Sequence, residues 1–221
     1  MLENKSYNYI AIVDLGTGNI LSIRNALEKY NQKVIVTNNK DDLYKANKIV
    51  LPGVGAFKKA MNTLHKLNLV KTLTKFHKEN KPILGICLGM QLLFQESNEF
   101  GSFKGLGFLR GKVVLLSNIS KKGLDLKVPH IGWNKIELPN NKKIAFWNKT
   151  ILKHIKPNSY LYYVHSYHAV HYKEDNIIAL SFYGGNSIAA VVREGNTIGC
   201  QFHPEKSGKI GLNILKAFSS L

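Results

Sequence analysis

The stretch Pro82–Phe94 limits the possible folds of this chain more than any other part of the sequence. It contains Ile83–Ile86, a short apolar run typical of a strand buried on both faces of a parallel sheet. Leu88–Phe94 favours a helix, and Cys87 stands before it with a glycine two residues away on either side. Because a sharp strand-to-helix turn crowds the backbone around its central residue, this spacing of small residues predicts a nucleophile elbow.

Such a turn holds the Cys87 sulfur at the carboxyl end of the sheet, next to the first N–H groups of a helix. Those N–H groups and the helix dipole favour a thiolate over a thiol. The alternative is a buried structural cysteine in a glycine-containing turn, and the elbow alone does not decide between the two.

A general base for this cysteine is found near the C-terminus. Thr197–Phe202 predicts another strand, and His203-Pro204-Glu205 follows it. Proline and the residue before it favour extended geometry, in which residues two apart project to the same side. Glu205 can then hold one imidazole nitrogen of His203, which leaves the other to accept the Cys87 proton. The alternative for His203 is a surface histidine at the end of a strand.

Several motifs together resemble a known family. Leu-Gly-Ile-Cys-Leu-Gly-Met-Gln-Leu-Leu-Phe (84–94) and Gly-Cys-Gln-Phe-His-Pro-Glu (199–205) are similar to motifs of the class I (triad) glutamine amidotransferases. Further motifs resemble one branch, the glutaminase subunit of imidazole glycerol phosphate synthase; they span residues 51–57, 128–134, 163–167 and 203–207. The resemblance runs from about Ile10 to Leu221.

An oxyanion site is predicted where Pro52-Gly53-Val54-Gly55 follows the apolar strand Lys48–Leu51. The carboxyl ends of parallel strands are where open α/β sheets place their sites, and the glycines allow backbone N–H groups to turn towards an oxyanion. By resemblance this segment, with Gly53 and Val54, is the oxyanion strand. The N–H of Leu88 is expected to be the second donor.

Four residues are candidates for binding the substrate, L-glutamine. Gln91 lies one helical turn beyond Cys87, and the resemblance implies that its amide holds the amino-acid end of glutamine. The family's glutamate at the position of Glu99 pairs with the α-ammonium group, and Ser166 and Tyr167 match residues whose backbone contacts glutamine. For Glu99 taken alone, the alternative is a solvated carboxylate. Its neighbours Asn98 and Phe100 depart from the family pattern, which puts the local loop geometry in doubt.

Four other positions match the family's interface with a partner subunit: Asn19, Trp133, Tyr162 and Lys206. Composition alone would make the two aromatic residues ordinary core side chains. We expect no cofactor. We also expect no metal, because His130 and His165 lack a zinc-like spacing with cysteine or carboxylates.

Length and pattern predict an α/β fold in one domain, residues 1–221, with a mostly parallel central sheet flanked by helices and extended by antiparallel strands. Further predicted strands are Tyr9–Val13, Lys33–Thr37, Lys112–Leu116, Lys135–Leu138, Tyr160–Val164, Ala169–Tyr172, Ile177–Tyr183 and Ile188–Arg193. Predicted helices are Ile20–Tyr30, Ala56–Lys66, Leu69–Glu79 and a last one capped by Ser207. Glu194–Asn196 is expected to be a hairpin turn.

A cytoplasmic location is expected, because no stretch reaches the roughly 20 apolar residues of a membrane helix and Met1–Tyr9 has no apolar signal core. The cysteines are expected to stay reduced, with Cys200 a small core residue rather than a disulfide partner of Cys87. The net charge of +17 raises the possibility of nucleic-acid binding. Because the lysines are scattered and only three arginines are present, solvated helix faces explain the charge better, and we expect neither a nucleic-acid nor a membrane partner.

We therefore interpret the chain as a cysteine glutaminase that forms a thioester on Cys87 and releases ammonia. The resemblance implies a heterodimer with a cyclase subunit of (β/α)8 barrel type, which uses the ammonia to make imidazole glycerol phosphate in histidine biosynthesis. One alternative keeps the chemistry and feeds a paralogous synthase that amidates a nucleotide-linked sugar. The others are a free-standing cysteine hydrolase or peptidase and a basic nucleic-acid-binding protein.

Overall fold

The structure is a computed structural model that describes residues 8–170 and 172–221. The described strands are β1 (Ile10–Val13), β2 (Val34–Thr37), β3 (Lys48–Leu51), β4 (Ile83–Ile86), β5 (Phe94–Ser97), β6 (Phe103–Lys104), β7 (Leu109–Leu115), β8 (His130–Lys135), β9 (Tyr160–His165), β10 (Tyr167–Val170), β11 (Ile177–Tyr183), β12 (Asn186–Glu194) and β13 (Thr197–Cys200). The described α-helices are α1 (Ile20–Glu28), α2 (Lys40–Lys45), α3 (Phe57–Lys66), α4 (Leu69–Lys78), α5 (Leu88–Leu92) and α6 (Gly208–Ser219).

The centre of the molecule is a seven-stranded sheet in the order β11-β12-β13-β4-β3-β1-β2. The strands from β13 to β2 pair in parallel, while β12 and β11 continue the sheet antiparallel. Strands β1, β4 and β13 are buried along their whole length, because helices and loops pack on both faces. This mostly parallel sheet with antiparallel additions confirms the predicted fold class.

Two smaller sheets complete the described part of the chain. Strands β10, β7, β5 and β6 form a four-stranded sheet, and β8 pairs with β9 in a separate antiparallel ribbon. The predicted hairpin turn at Glu194–Asn196 is present, since Glu194 pairs with Thr197 where β12 meets β13. Of the described helices, none is long and apolar enough to cross a membrane.

The elbow helix is shorter than predicted. Helix α5 ends at Leu92, and Phe94 instead begins β5, where it pairs with Leu109. The carbonyl of Phe94 also accepts a hydrogen bond from the Gly107 N–H at 3.1 Å. Strand pairing therefore overrides the helix preference of this apolar run, because it supplies hydrogen-bond partners for the Phe94 backbone.

Other boundaries also differ from prediction. The predicted strand Lys135–Leu138 is wrong, since β8 ends at Lys135 and Glu137 forms only an isolated bridge with Leu180. Helix α2 was not predicted; the Asn39 side chain caps it by accepting from the N–H groups of its first turn. The predicted strand Ala169–Tyr172 overlaps β10, which ends at Val170. Residue 171 lies outside the described residues, and so do residues 1–7 of the stretch Met1–Tyr9 that was inspected for a signal core.

Glycines allow the elbow to pack backbone against backbone. A Cβ atom on Gly89 would lie 1.7 Å from the Leu51 carbonyl oxygen, so α5 rests directly on the end of β3. A Cβ atom on Gly85 would lie 2.7 Å from the Met90 nitrogen. Both positions require the absence of a side chain, which is the physical reason for the glycine spacing around Cys87.

Gly89→Ala is therefore expected to destabilise the fold by more than about 3 kcal/mol, since a rigid backbone carbonyl must move to admit the methyl group. The matched control is Gly107→Ala, where φ is +69° and no atom lies within 4 Å of the added carbon. That control should cost only about 1 kcal/mol, the usual loss when alanine adopts a left-handed conformation. Chemical denaturation of both variants measures the difference, and equal losses would contradict the packing argument.

Candidate active site

The Cys87 backbone has the strained geometry of a nucleophile elbow. Its φ and ψ angles are +53° and −110°, a region that residues with a side chain rarely adopt. The Cys87 N–H donates to the Cys200 carbonyl at 2.7 Å, which ties the turn to β13. Helix α5 has only 5 residues, so the free N–H groups of its first turn, rather than a long helix dipole, provide the positive potential beside the sulfur.

His203 and Glu205 form a buried pair. The His203 Nδ1 atom lies 2.8 Å from Glu205 Oε1, and the side chains are only 2% and 1% exposed. Burial lowers the pKa of His203, but the Cys87 sulfur and the Glu205 carboxylate raise it by more, so its pKa lies well above the usual histidine value. The buried His203 Nε2 has no hydrogen-bond partner among the described residues. Nε2 is thus the nitrogen left for proton transfer.

The His203 backbone is held by strand β9. Its N–H donates to the Tyr162 carbonyl at 2.8 Å, and its own carbonyl accepts from the Ser207 hydroxyl at 2.6 Å. Ser207 occupies the N-cap position of α6 as predicted, but its hydroxyl makes no capping bond and instead accepts from the Tyr162 N–H at 2.9 Å. The predicted cap is wrong, because the Ser207 hydroxyl bonds the backbones of His203 and Tyr162 rather than the first turn of α6.

A cavity of about 370 Å³ is lined by Cys87. All four predicted substrate-binding residues line it, together with two of the three predicted oxyanion residues: Gln91, Glu99, Ser166, Tyr167, Val54 and Leu88. The third, Gly53, lies against Leu88, since a Cβ atom on it would be 3.1 Å from Leu88 Cβ. The volume suits a small polar ligand. A neighbouring cavity of about 390 Å³ shares Glu99 but is lined mainly by α3 and not by Cys87.

Glu99 has a structural partner that the sequence did not reveal. Its Oε2 atom accepts a hydrogen bond from the Phe57 N–H, the first N–H of α3. The carboxylate is half-buried rather than solvated, and it satisfies a helix end that has no side-chain cap of its own. Glu99 is thereby fixed at the rim of the cavity.

Three of the four predicted interface residues form a surface cluster. Trp133 and Tyr162 are cross-strand partners in the β8–β9 ribbon, with ring centroids 6.0 Å apart. The Lys206 ammonium lies 5.9 Å from the centroid of the Tyr162 ring. Trp133 is 55% exposed, so the core placement that composition favours is wrong for this residue. Asn19 is the residue before α1, which packs against the 3-10 turn Pro204–Lys206.

Several polar contacts in and behind the cavity wall were not foreseen from the sequence. His130 and His165 are buried cross-strand partners, with His130 Nδ1 3.2 Å from His165 Nε2. Gln201 is fully buried, and its Nε2 atom lies 3.9 Å from the Cys87 sulfur. Only the strand register brings the histidines together, so their spacing in the chain gave no signal. Across residues 8–170 and 172–221, no group of three or more His, Cys, Asp or Glu side chains is arranged to hold a metal ion.

The second cysteine is inert. Both cysteines are free, and Cys200 is fully buried in β13, as predicted. Burial and the Glu205 charge raise the pKa of the Cys200 thiol, so it stays protonated. Cys87 is therefore the cysteine placed for chemistry.

Comparison with known proteins adds to this geometry. A family model described as glutamine amidotransferase class-I matches residues 11–219. The imidazole glycerol phosphate synthase subunit HisH 1 of Legionella pneumophila (strain Lens) is 42% identical over 209 residues, which cover 95% of this chain and 97% of that protein. The imidazole glycerol phosphate synthase subunit HisH of Shouchella clausii (strain KSM-K16) is 44% identical over 212 residues, 96% of this chain and 98% of that protein.

Solved structures share the fold at low identity. A crystal structure of a glutamine amidotransferase superposes with a TM-score of 0.71 and 15% identity, covering 96% of this chain and 99% of that chain. A glutamine amidotransferase of Thermotoga maritima gives a TM-score of 0.60 and 14% identity, over 97% of this chain and 84% of that chain.

The buried histidines generate a prediction about stability and pH. Burial lowers the pKa of His165 to about 3 and that of His130 to about 4. In the unfolded chain histidine titrates near pH 6.5, so below that pH the unfolded state binds more protons, and the free energy of unfolding falls as pH falls. Each histidine adds up to about 1.4 kcal/mol per pH unit to this slope.

His165→Gln is therefore expected to reduce the slope of unfolding free energy against pH between about pH 4 and pH 6.5, whatever its effect on stability at neutral pH. The matched control is His154→Gln, which removes an exposed histidine instead of a buried one. Urea denaturation at a series of pH values measures both slopes. A parental slope in His165→Gln would contradict the neutral, buried state of this imidazole.

Proposed function

This chain belongs to the glutamine amidotransferase class-I family, and from that premise we propose that it is the glutaminase subunit of an imidazole glycerol phosphate synthase. The resemblance found in the motifs is confirmed by the family match and by the HisH relatives. In this proposal residues 1–221 act as one domain that hydrolyses L-glutamine to glutamate and ammonia for histidine biosynthesis.

One observation carries the chemistry. His203, oriented by Glu205 at 2.8 Å, has its remaining nitrogen buried beside a cysteine on a strained turn. The raised pKa of His203 favours an imidazolium, which pairs with a Cys87 thiolate in the resting enzyme. This is the charge state that a cysteine nucleophile needs before substrate arrives.

The proposed first half-reaction forms a thioester. The Cys87 thiolate attacks the carbonyl carbon of the glutamine side-chain amide, and the carbonyl electrons move to oxygen as the C–S bond forms. The N–H of Leu88 and a backbone N–H of the Gly53–Val54 segment stabilise this oxyanion. When the carbonyl reforms, the C–N bond breaks, and His203 gives its proton to the leaving nitrogen, which departs as ammonia.

The second half-reaction restores the enzyme. Water attacks the thioester carbonyl while His203 Nε2 removes its proton, and the C–S bond breaks to release glutamate. In the proposal Gln91, Glu99, Ser166 and Tyr167 hold the amino-acid end of the substrate during both steps. The chemistry is complete with side chains and backbone alone, so no cofactor and no metal are proposed.

The ammonia acceptor is proposed to be a second subunit. The two HisH relatives are named as subunits of a synthase, which supports the histidine pathway over transfer to a nucleotide-linked sugar. We propose a cyclase of (β/α)8 barrel type that docks on Asn19, Trp133, Tyr162 and Lys206. The exposed cluster around Trp133 supports this face, because a large apolar ring otherwise gains nothing from contact with water.

The nucleophile and base can be tested by substitution. Cys87→Ala and His203→Ala are each expected to lower glutaminase turnover by roughly 10⁴-fold, because the two residues act as a unit. Glu205→Gln should cost less, since Glu205 orients the imidazole without taking the proton. A glutamine-like electrophile should label Cys87, with Cys200→Ala as the matched control that retains labelling. Labelling that persists in Cys87→Ala and disappears in Cys200→Ala would contradict the assignment.

Partner dependence is the second expected outcome. The backbone from Pro52 to Gly55 is glycine-rich, with φ of +98° at Gly55, so it can reorient an oxyanion donor when the partner docks. The isolated chain should therefore be poorly active, and the barrel subunit with its phosphorylated ligand should activate it. Lys206→Ala should lower the activation factor about fivefold or more, while basal hydrolysis changes little.

The matched control for this experiment is Lys209→Ala, an exposed lysine beyond the Tyr162 cluster, which should preserve activation. Glutaminase rates are measured for the chain alone, with the barrel subunit, and with the barrel subunit and its ligand. Equal rates in all three conditions would favour the free-standing hydrolase instead.

A further inference from the structure

The carbonyl oxygen of Tyr167 is the junction of a hydrogen-bond chain behind the cavity. It lies 2.8 Å from Gln91 Nε2 and 2.9 Å from His165 Nδ1. A carbonyl oxygen only accepts, so both nitrogens must carry the hydrogen that faces it. The junction therefore fixes the amide orientation of Gln91 and the tautomer of His165.

The first branch leads to the reacting sulfur. Gln91 Nε2 also lies 3.3 Å from Gln201 Oε1, and because this nitrogen is a donor, the oxygen of Gln201 must be the atom facing it. The other end of the Gln201 amide is then its NH₂ group, 3.9 Å from Cys87 Sγ. Gln201 is fully buried, so water does not compete for this N–H.

The second branch holds the junction from the opposite side. With its hydrogen on Nδ1, a neutral His165 must accept at Nε2, and His130 Nδ1 donates to it at 3.2 Å. His130 Nε2 then accepts from the Asn134 amide at 3.5 Å, and that amide also donates to the Phe182 carbonyl at 2.8 Å. From Asn134 to the Tyr167 carbonyl, each group therefore donates to the next one in the chain. This uninterrupted chain of hydrogen bonds holds the Tyr167 carbonyl in place.

We propose that Gln201 is a further catalytic residue, which directs an N–H at the Cys87 sulfur and stabilises its thiolate. The inference rests on the proposed function, because it assumes that Cys87 is the nucleophile. Donors to a charged sulfur in a water-free site are stronger than donors to neutral groups, so a single N–H favours the reactive form. This hydrogen bond becomes weaker once the sulfur is acylated, since a thioester sulfur carries no charge.

The test measures the sulfur directly rather than turnover alone. Gln201→Met keeps the length of the side chain and removes its N–H donors. The rate of Cys87 alkylation by iodoacetamide is followed from about pH 5 to pH 10 by mass spectrometry of the peptide that contains Cys87. Loss of one charge-assisted donor should weaken the thiolate about tenfold relative to the thiol, which moves the midpoint of the profile up by about one pH unit. Glutaminase kcat should fall to a similar extent, with KM for glutamine changed less.

The matched control is Cys200→Ala, a fully buried neighbour of Gln201 in the sequence whose side chain is not a member of the hydrogen-bond chain; it should keep the parental alkylation profile. If Gln201→Met does not fold, Gln201→Asn retains an amide but withdraws it from the sulfur, and the same upward shift is expected. An alkylation profile that superimposes on the parental one in the folded variant would overturn the inference, even if turnover falls. Retained glutaminase activity in Cys87→Ala would instead overturn the proposed function, so the two failures are distinguishable.

Discussion

The site depends on one contact, the approach of the α5 backbone to the end of β3. A Cβ atom on Gly89 would lie 1.7 Å from the Leu51 carbonyl oxygen, so no other residue permits this packing. The contact places Cys87 at the carboxyl end of β4 and brings the first N–H groups of α5 beside the Pro52–Gly55 segment, which directly follows β3. A nucleophile and its candidate oxyanion donors become neighbours because two secondary-structure elements touch without intervening side chains.

Strand β9 joins the parts of the site to the surface. The Tyr162 carbonyl accepts from the His203 N–H at 2.8 Å, while the Val164 carbonyl lies 3.7 Å from the Cys87 sulfur. The antiparallel register with β8 then sets Trp133 opposite Tyr162 and His130 opposite His165. One two-stranded ribbon thus carries both an exposed aromatic pair and part of the cavity wall. A displacement of the aromatic pair would therefore move the residues that line the cavity.

The histidines show how environment, not residue type, sets charge. Burial holds His165 neutral, since its pKa falls to about 3 and its two ring nitrogens already have a carbonyl and a second imidazole as partners. His203 is buried as well, yet the nearby sulfur and carboxylate raise its pKa. Two imidazoles in one small site are therefore assigned opposite roles, one as a neutral link in a hydrogen-bond chain and one as a cation that can give up its proton.

The sequence by itself determined the features that depend on short-range constraints. Glycine spacing around Cys87 specified the elbow, and proline between His203 and Glu205 favoured the geometry of their pair, because both depend on a few adjacent backbone angles. Tertiary structure alone decided which distant groups meet: Glu99 with the first turn of α3, His130 with His165, and Gln201 with the Cys87 sulfur. The histidine contact follows from the β8–β9 register, and a register shift of one residue would turn both side chains to the other face without changing any local pattern. Glu99 and Gln201 lie just beyond β5 and β13, so their contacts depend on where the sheet order places the ends of those strands.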